Sequence, residues 1–128
     1  MDNITLKIGE RTIPLRFKMN QFRDIEEEIG NLGEIQELIF DGNRRVRNVV
    51  AVIRIMGNAG LAFVGQKPDL TNEWLMENMS PFEITDYQNA IMACMAKDGQ
   101  SQAIKEENEN KERDLVLEEI EAKKDPVN

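Results

Sequence analysis

Histidine is absent from this 128-residue chain, and cysteine occurs once, as Cys94. The commonest general base and the commonest transition-metal ligand are therefore missing. No Ser-His-Asp or Cys-His arrangement can be built from these residues alone. A single cysteine excludes an internal disulfide and, with no histidine beside it, a typical zinc site. No Walker-type loop occurs, and no Gly-x-Gly-x-x-Gly follows a strand, so the common nucleotide-binding signatures are lacking too. No apolar run approaches the roughly 20 residues needed to span a bilayer. Met1-Asp2-Asn3 is not a basic region followed by an apolar stretch, so no signal peptide is expected. Positive charge is in deficit: 16 Lys and Arg stand against 24 Asp and Glu, a formal net charge of −8. A net anion is repelled by phosphate backbones and by anionic membranes. These absences predict a cytoplasmic protein that is not an enzyme, needs no cofactor and has neither nucleic acid nor membrane as a partner.

Hydrophobic residues make up 41% of the chain, enough for one modest core. Ile4, Leu6 and Ile8 alternate with polar residues, and Ile13, Leu15 and Phe17 do so again after Gly9-Glu10-Arg11. Period-two spacing about a glycine-containing break predicts a β-hairpin over 3–17, with Pro14 on an edge. Helical spacing then takes over. Asn20 reads as the N-cap of a helix carrying Phe22, Ile25 and Ile29, with Gly30 as a left-handed C-cap. Leu32, Ile35, Leu38 and Ile39 predict a short helix ending near Asp41-Gly42. From about Asn43, the stripe Val46, Val49, Val50, Ile53 and Met56 predicts a longer one. It is expected to run on to Gly65 despite Gly57 and Gly60, at about 1 kcal/mol per glycine relative to alanine. Gln66-Lys67-Pro68-Asp69 is a loop. Thr71 caps a helix with Trp74, Leu75 and Met79. In Ser80-Pro81-Phe82-Glu83 the serine caps, proline takes the first helical position, and Glu83 is expected to reach back to the serine N–H. That last helix carries Ile84, Tyr87, Ile91, Cys94 and Met95 to about Gly99.

Beyond Gly99 the composition changes. Residues 100–128 hold five basic and nine acidic residues, a net of −4, and few large apolar ones. The fold class expected is α+β, mostly α: an N-terminal hairpin packed on a small helical bundle. A compact domain over 1–99 precedes a charged helical or partly disordered extension over 100–128.

Several residues invite a functional reading. Glu26-Glu27-Glu28 could draw a cation, but consecutive helical residues diverge, so a solvated acidic face is expected. Cys94, at helical spacing with Ile91, reads as a small buried hydrophobe. Arg44, Arg45 and Arg47 read as a helix's polar face. Of the seven methionines, Met56, Met76, Met79, Met92 and Met95 lie at core spacings. Trp74 is either a binding anchor or part of the core. Leu115, Val116, Leu117 and Ile120 form an apolar stripe among charges. It reads as a partner-docking or self-association surface.

Three stretches carry a family resemblance: Ile8-Gly9-Glu10-Arg11-Thr12-Ile13-Pro14-Leu15-Arg16-Phe17, Ile25-Glu26-Glu27-Glu28-Ile29-Gly30, and Pro68-Asp69-Leu70-Thr71-Asn72-Glu73-Trp74. In this order, across residues 1–98, the chain resembles the tail assembly chaperones of long, non-contractile-tailed bacteriophages and their prophages. The resemblance implies a protein that binds the tape measure protein in the host cytoplasm, keeps it soluble and helps recruit tail tube protein. Such a protein is absent from the finished virion. Members often have a second, frameshifted product, and Lys123-Lys124 is compatible with an A-rich slippery codon pair. The family transfers no binding residue to this chain. Two other classes fit the same absences: a structural tail completion or connector protein, and a bacterial protein-binding regulatory module.

Overall fold

The structure is a computed structural model and describes residues 4–98. It is mostly helical, with a two-stranded antiparallel hairpin packed on helices. Strands β1 (Thr5–Ile8) and β2 (Arg11–Pro14) pair in the register Leu6 opposite Ile13 and Ile8 opposite Arg11. The two-residue loop between them needs a positive φ at its first position, and Gly9 supplies +62°. Leu6, Ile8 and Ile13 share the face that meets the core, and Leu15 and Phe17 extend it. A hairpin alone is marginal in water, so that face determines where it sits.

Helix α1 (Met19–Glu28) starts two residues earlier than Asn20 as N-cap would allow. Lys18 holds the cap position, and its N–H donates to Gln21 Oε1 at 2.8 Å. Gly30 follows α1 with φ +135°, positive as expected but outside the left-handed helical well. The next segment departs from the expected short α-helix. It is a 3₁₀ turn (Leu32–Glu34) followed by a π turn (Glu37–Asp41).

Helix α2 (Arg45–Phe63) crosses the middle of the molecule and touches the hairpin, α1, the π turn, α3 and α4. It runs through both Gly57 and Gly60. It ends on Gly65, where Gly65 N–H donates to Ala62 and Gln66 N–H to Leu61, the paired bonds of a Schellman cap. By length and composition α2 could cross a membrane, but 56% of its most apolar stretch is buried against the other elements. Val49, Val52, Ile53 and Met56 have no exposed surface. Burying such a side chain is worth roughly 1.5–3 kcal/mol.

The glycines in α2 have a packing role. A β-carbon on Gly57 would lie 2.6 Å from Leu70 Cδ1 and 2.9 Å from Ile13 Cγ2, and one on Gly60 would overlap the Pro14 carbonyl. The β2 chain therefore lies directly on α2, and Arg16 N–H donates to Met56 O at 3.0 Å. Asn58 pins the following loop by exchanging two bonds with the Leu70 backbone, at 2.8 and 3.1 Å.

Helix α3 (Asn72–Asn78) is capped by Thr71, whose Oγ1 accepts from Trp74 N–H at 3.0 Å. A 3₁₀ turn (Pro81–Glu83) leads into α4 (Ile84–Asp98). Ser80 Oγ accepts from Phe82 N–H at 3.2 Å as a cap. The expected return from Glu83 to the serine N–H is replaced by a relay. Ser80 N–H donates to the Tyr87 hydroxyl at 2.8 Å, and that hydroxyl donates to Glu83 Oε1 at 3.3 Å. At its far end, α4 is tied to the β2–α1 link, where Lys18 Nζ donates to Asp98 O at 3.2 Å. A lysine at the carbonyl end of a helix also suits the macrodipole.

Candidate protein-binding groove

Where α2 begins, α3 ends and α4 begins, the three helices do not close on one another. An open groove of about 290 Å³ remains. Val46 and Val50 form its α2 wall, Met76 and Met79 its α3 wall, and Ile84 and Tyr87 its α4 wall. Ser80 and Pro81 also line it, and among the described residues Arg45 is the only charged one that does.

The groove follows from local sequence. Val46 lies in the first turn of α2, before the helix has reached the core, and it is 46% exposed. The stripe from Val46 to Met56 was expected to be buried throughout, and only its first member is not. Met76 sits on α3 beside Leu75, which the short helix turns fully inward, so Met76 faces out at 57% exposure. Of the methionines expected in the core, Met56 is buried, Met79, Met92 and Met95 pack partly against it, and Met76 is the exception. Phe82, next to Pro81, is 96% exposed. The apolar stripe of α4 runs through Ile84, Tyr87 and Ile91, and Phe82 lies off it.

Tyr87 forms the floor. Burial pushes its phenol pKa up, and the nearby Glu83 carboxylate adds to this, while the Ser80 N–H donated to its oxygen acts the other way. The phenol therefore stays neutral and holds the Ser80 turn in place.

Arg44, Arg45 and Arg47 are exposed around the start of α2. No acidic residue occupies that first turn and no side chain caps it. Among the described residues none of the three arginines has an ion-pair partner. Three cations at a helix N-terminus oppose the macrodipole. Arg45 lines the groove, whereas Arg44 and Arg47 line a separate pocket with Glu28 and Glu37.

The other candidate residues fall elsewhere. Trp74 is half-buried against the core, with the Arg11 guanidinium 5.3 Å from its ring centroid and Arg11 itself paired to Asp69 at 3.1 Å. It does not line the groove. Glu26, Glu27 and Glu28 are exposed and diverge. Glu26 accepts from Leu32 N–H at 3.0 Å, and Glu28 pairs with Arg54. Among the described residues no cluster of His, Cys, Asp or Glu is arranged to hold a metal. Cys94 is fully buried. Burial and the Asp98 carboxylate push its thiol up to about 12, so it is not a nucleophile at neutral pH. Leu115, Val116, Leu117 and Ile120 lie outside the described residues.

An open apolar channel with exposed aliphatic walls and one arginine in its lining can take up a few aliphatic side chains of another polypeptide segment. At this size it is at the bottom of the range for small-molecule pockets. No protein-family model, curated protein or solved structure matches the chain.

Proposed function

We propose that this chain acts by binding other proteins, as a tail assembly chaperone for a tape measure protein, and that the α2–α3–α4 groove is where it binds. The observation that carries the binding role is the groove itself. Val46 and Met76 are exposed apolar side chains lining one channel, and contiguous exposed apolar surface marks interaction sites. The choice of partner rests on the three stretches that resemble the tail chaperones. A tape measure protein is a long helical chain with apolar stripes, and helix-in-groove contact suits it. A net charge of −8 supports solubility of the resulting complex. On this reading the protein works in the host cytoplasm during assembly, helps recruit tail tube protein and is left out of the virion.

Co-expression of the full chain, tagged, with a tape measure protein from the same genome is the test. The tape measure protein is expected in the soluble fraction and on the affinity resin. A tape measure protein that aggregates regardless and is not retained overturns the proposal. Stoichiometric presence of the chain in purified virions would instead make it a structural component.

A further inference from the structure

We propose that the groove is also the docking site of this chain's own C-terminal segment, residues 114–121, which occupies it until a partner takes its place. The inference rests on the binding role proposed above and adds its regulation.

The segment reads Asp114-Leu115-Val116-Leu117-Glu118-Glu119-Ile120-Glu121. At helical spacing Val116, Leu117 and Ile120 share one face, and the acidic residues flank it. The groove is its complement, with aliphatic walls from Val46 and Met76 and, among the described residues, Arg45 as the only lining charge. Arg44 and Arg47 line a separate pocket, together with Glu28 and Glu37, so the groove's positive charge is that of Arg45, which has no ion-pair partner among the described residues. Glu118 and Glu119 supply an anion for Arg45.

Reach is sufficient. Helix α4 runs from the groove at Ile84 to Asp98, a distance of about 21 Å at helical rise. Roughly 16 residues lie between Asp98 and Leu115, and an extended chain of that length spans about 50 Å.

Charge discriminates between this groove and the nearer alternative. The chain leaves α4 beside Lys18, close to a second apolar patch at Met19 and Phe22. Glu26 and Glu27 line that patch with Arg23, which is already paired to Asp24. Its lining is therefore net negative and repels an acidic segment, whereas Arg45 attracts it.

Paramagnetic broadening in the free, full-length protein tests the proposal. A nitroxide is attached through Leu117→Cys. Cys94 is buried, and wild-type protein treated in the same way controls for it. The amide peaks of Val46, Met76 and Ile84 are expected to be lost at low concentration. Arg45→Glu should restore them, and adding Glu118→Arg and Glu119→Arg to that variant should remove them again. Broadening seen only when unlabelled and spin-labelled chains are mixed means that the occupant is a second copy, and overturns the proposal. So does broadening at Met19 and Phe22 alone, or nowhere among the described residues. No tape measure protein is needed, so failure here leaves the pull-down result intact, and failure of the pull-down leaves this result intact.

Discussion

Gly60 and Pro14 are in direct backbone contact: a β-carbon on Gly60 would occupy the space of the Pro14 carbonyl oxygen. Gly60→Ala would gain about 1 kcal/mol of helix propensity. It would also force β2 away from α2 and stretch the bond from Arg16 N–H to Met56 O. Overpacking of this kind costs about 1–3 kcal/mol, occasionally more, and backbone has little freedom to yield. A net loss of up to about 2 kcal/mol is expected, a fall of up to roughly 8–16 °C in Tm for a domain of this size. Ala59→Gly, one residue away, should lose only the propensity. Thermal denaturation of both variants checks the contrast, and a rise in Tm for Gly60→Ala would mean that helix propensity, not the contact, is what matters at Gly60.

This contact shows where sequence reading stops. Periodicity is a local property, and it carried the hairpin, the span of α2, the Thr71 cap and the burial of Cys94. Gly57 and Gly60 looked like losses within a helix because their benefit lies in Ile13, Pro14 and Leu70, distant in sequence. The Leu32–Asp41 segment has helical spacing, yet its bonds shift to 3₁₀ and π patterns, which no spacing rule detects. The groove was invisible for a related reason. Val46 and Met76 lie on apolar stripes, and only the angle between helices leaves their ends uncovered. The stripe at Leu115, Val116, Leu117 and Ile120 stands out in sequence because it has no periodic neighbours to join.

The π turn depends on two buried polar side chains. Asn48 Nδ2 donates to Leu38 O at 2.9 Å, and Gln88 Nε2 donates to Ile39 O at 2.6 Å. Asn48 and Gln88 are 5% and 6% exposed. They satisfy carbonyls in the irregular turn. Gln88→Leu keeps the volume but leaves the Ile39 carbonyl unpaired, at about 1–3 kcal/mol. A Tm lower by roughly 5–20 °C is expected. An unchanged Tm would mean that water replaces the amide without loss.

Alkaline pH should destabilise the fold through Cys94. Its thiol is pushed up to about 12 from a reference value of 9.0. Below the reference value the thiol is protonated whether folded or unfolded, and stability does not change on its account. Between the two values the unfolded chain loses the proton and the folded chain keeps it. The unfolded state then binds fewer protons, and stability falls as pH rises. Tyr87, whose pKa is also raised, acts in the same direction above its reference value of 10.0. Urea midpoints across pH 8–11 should decline, and Cys94→Ala should decline less steeply from a lower start. A parallel decline in the two proteins would remove Cys94 as a cause.

The groove and the C-terminal stripe predict opposite effects on partner binding. Met76 is 57% exposed, so Met76→Asp should change Tm little, as surface substitutions usually fall within about 0.5 kcal/mol. In the pull-down with the tape measure protein it should weaken retention by about 2 kcal/mol, roughly thirtyfold, the loss expected at an interface hot spot. Leu117→Asp with Ile120→Asp removes the internal competitor instead. If the segment fills the groove for about nine-tenths of the time, releasing it raises apparent affinity about tenfold. Titration of the three proteins against one tape measure fragment separates the cases. Weakening by both variants would make the stripe itself a partner contact and exclude competition, and no change with Met76→Asp would move the binding site away from the groove.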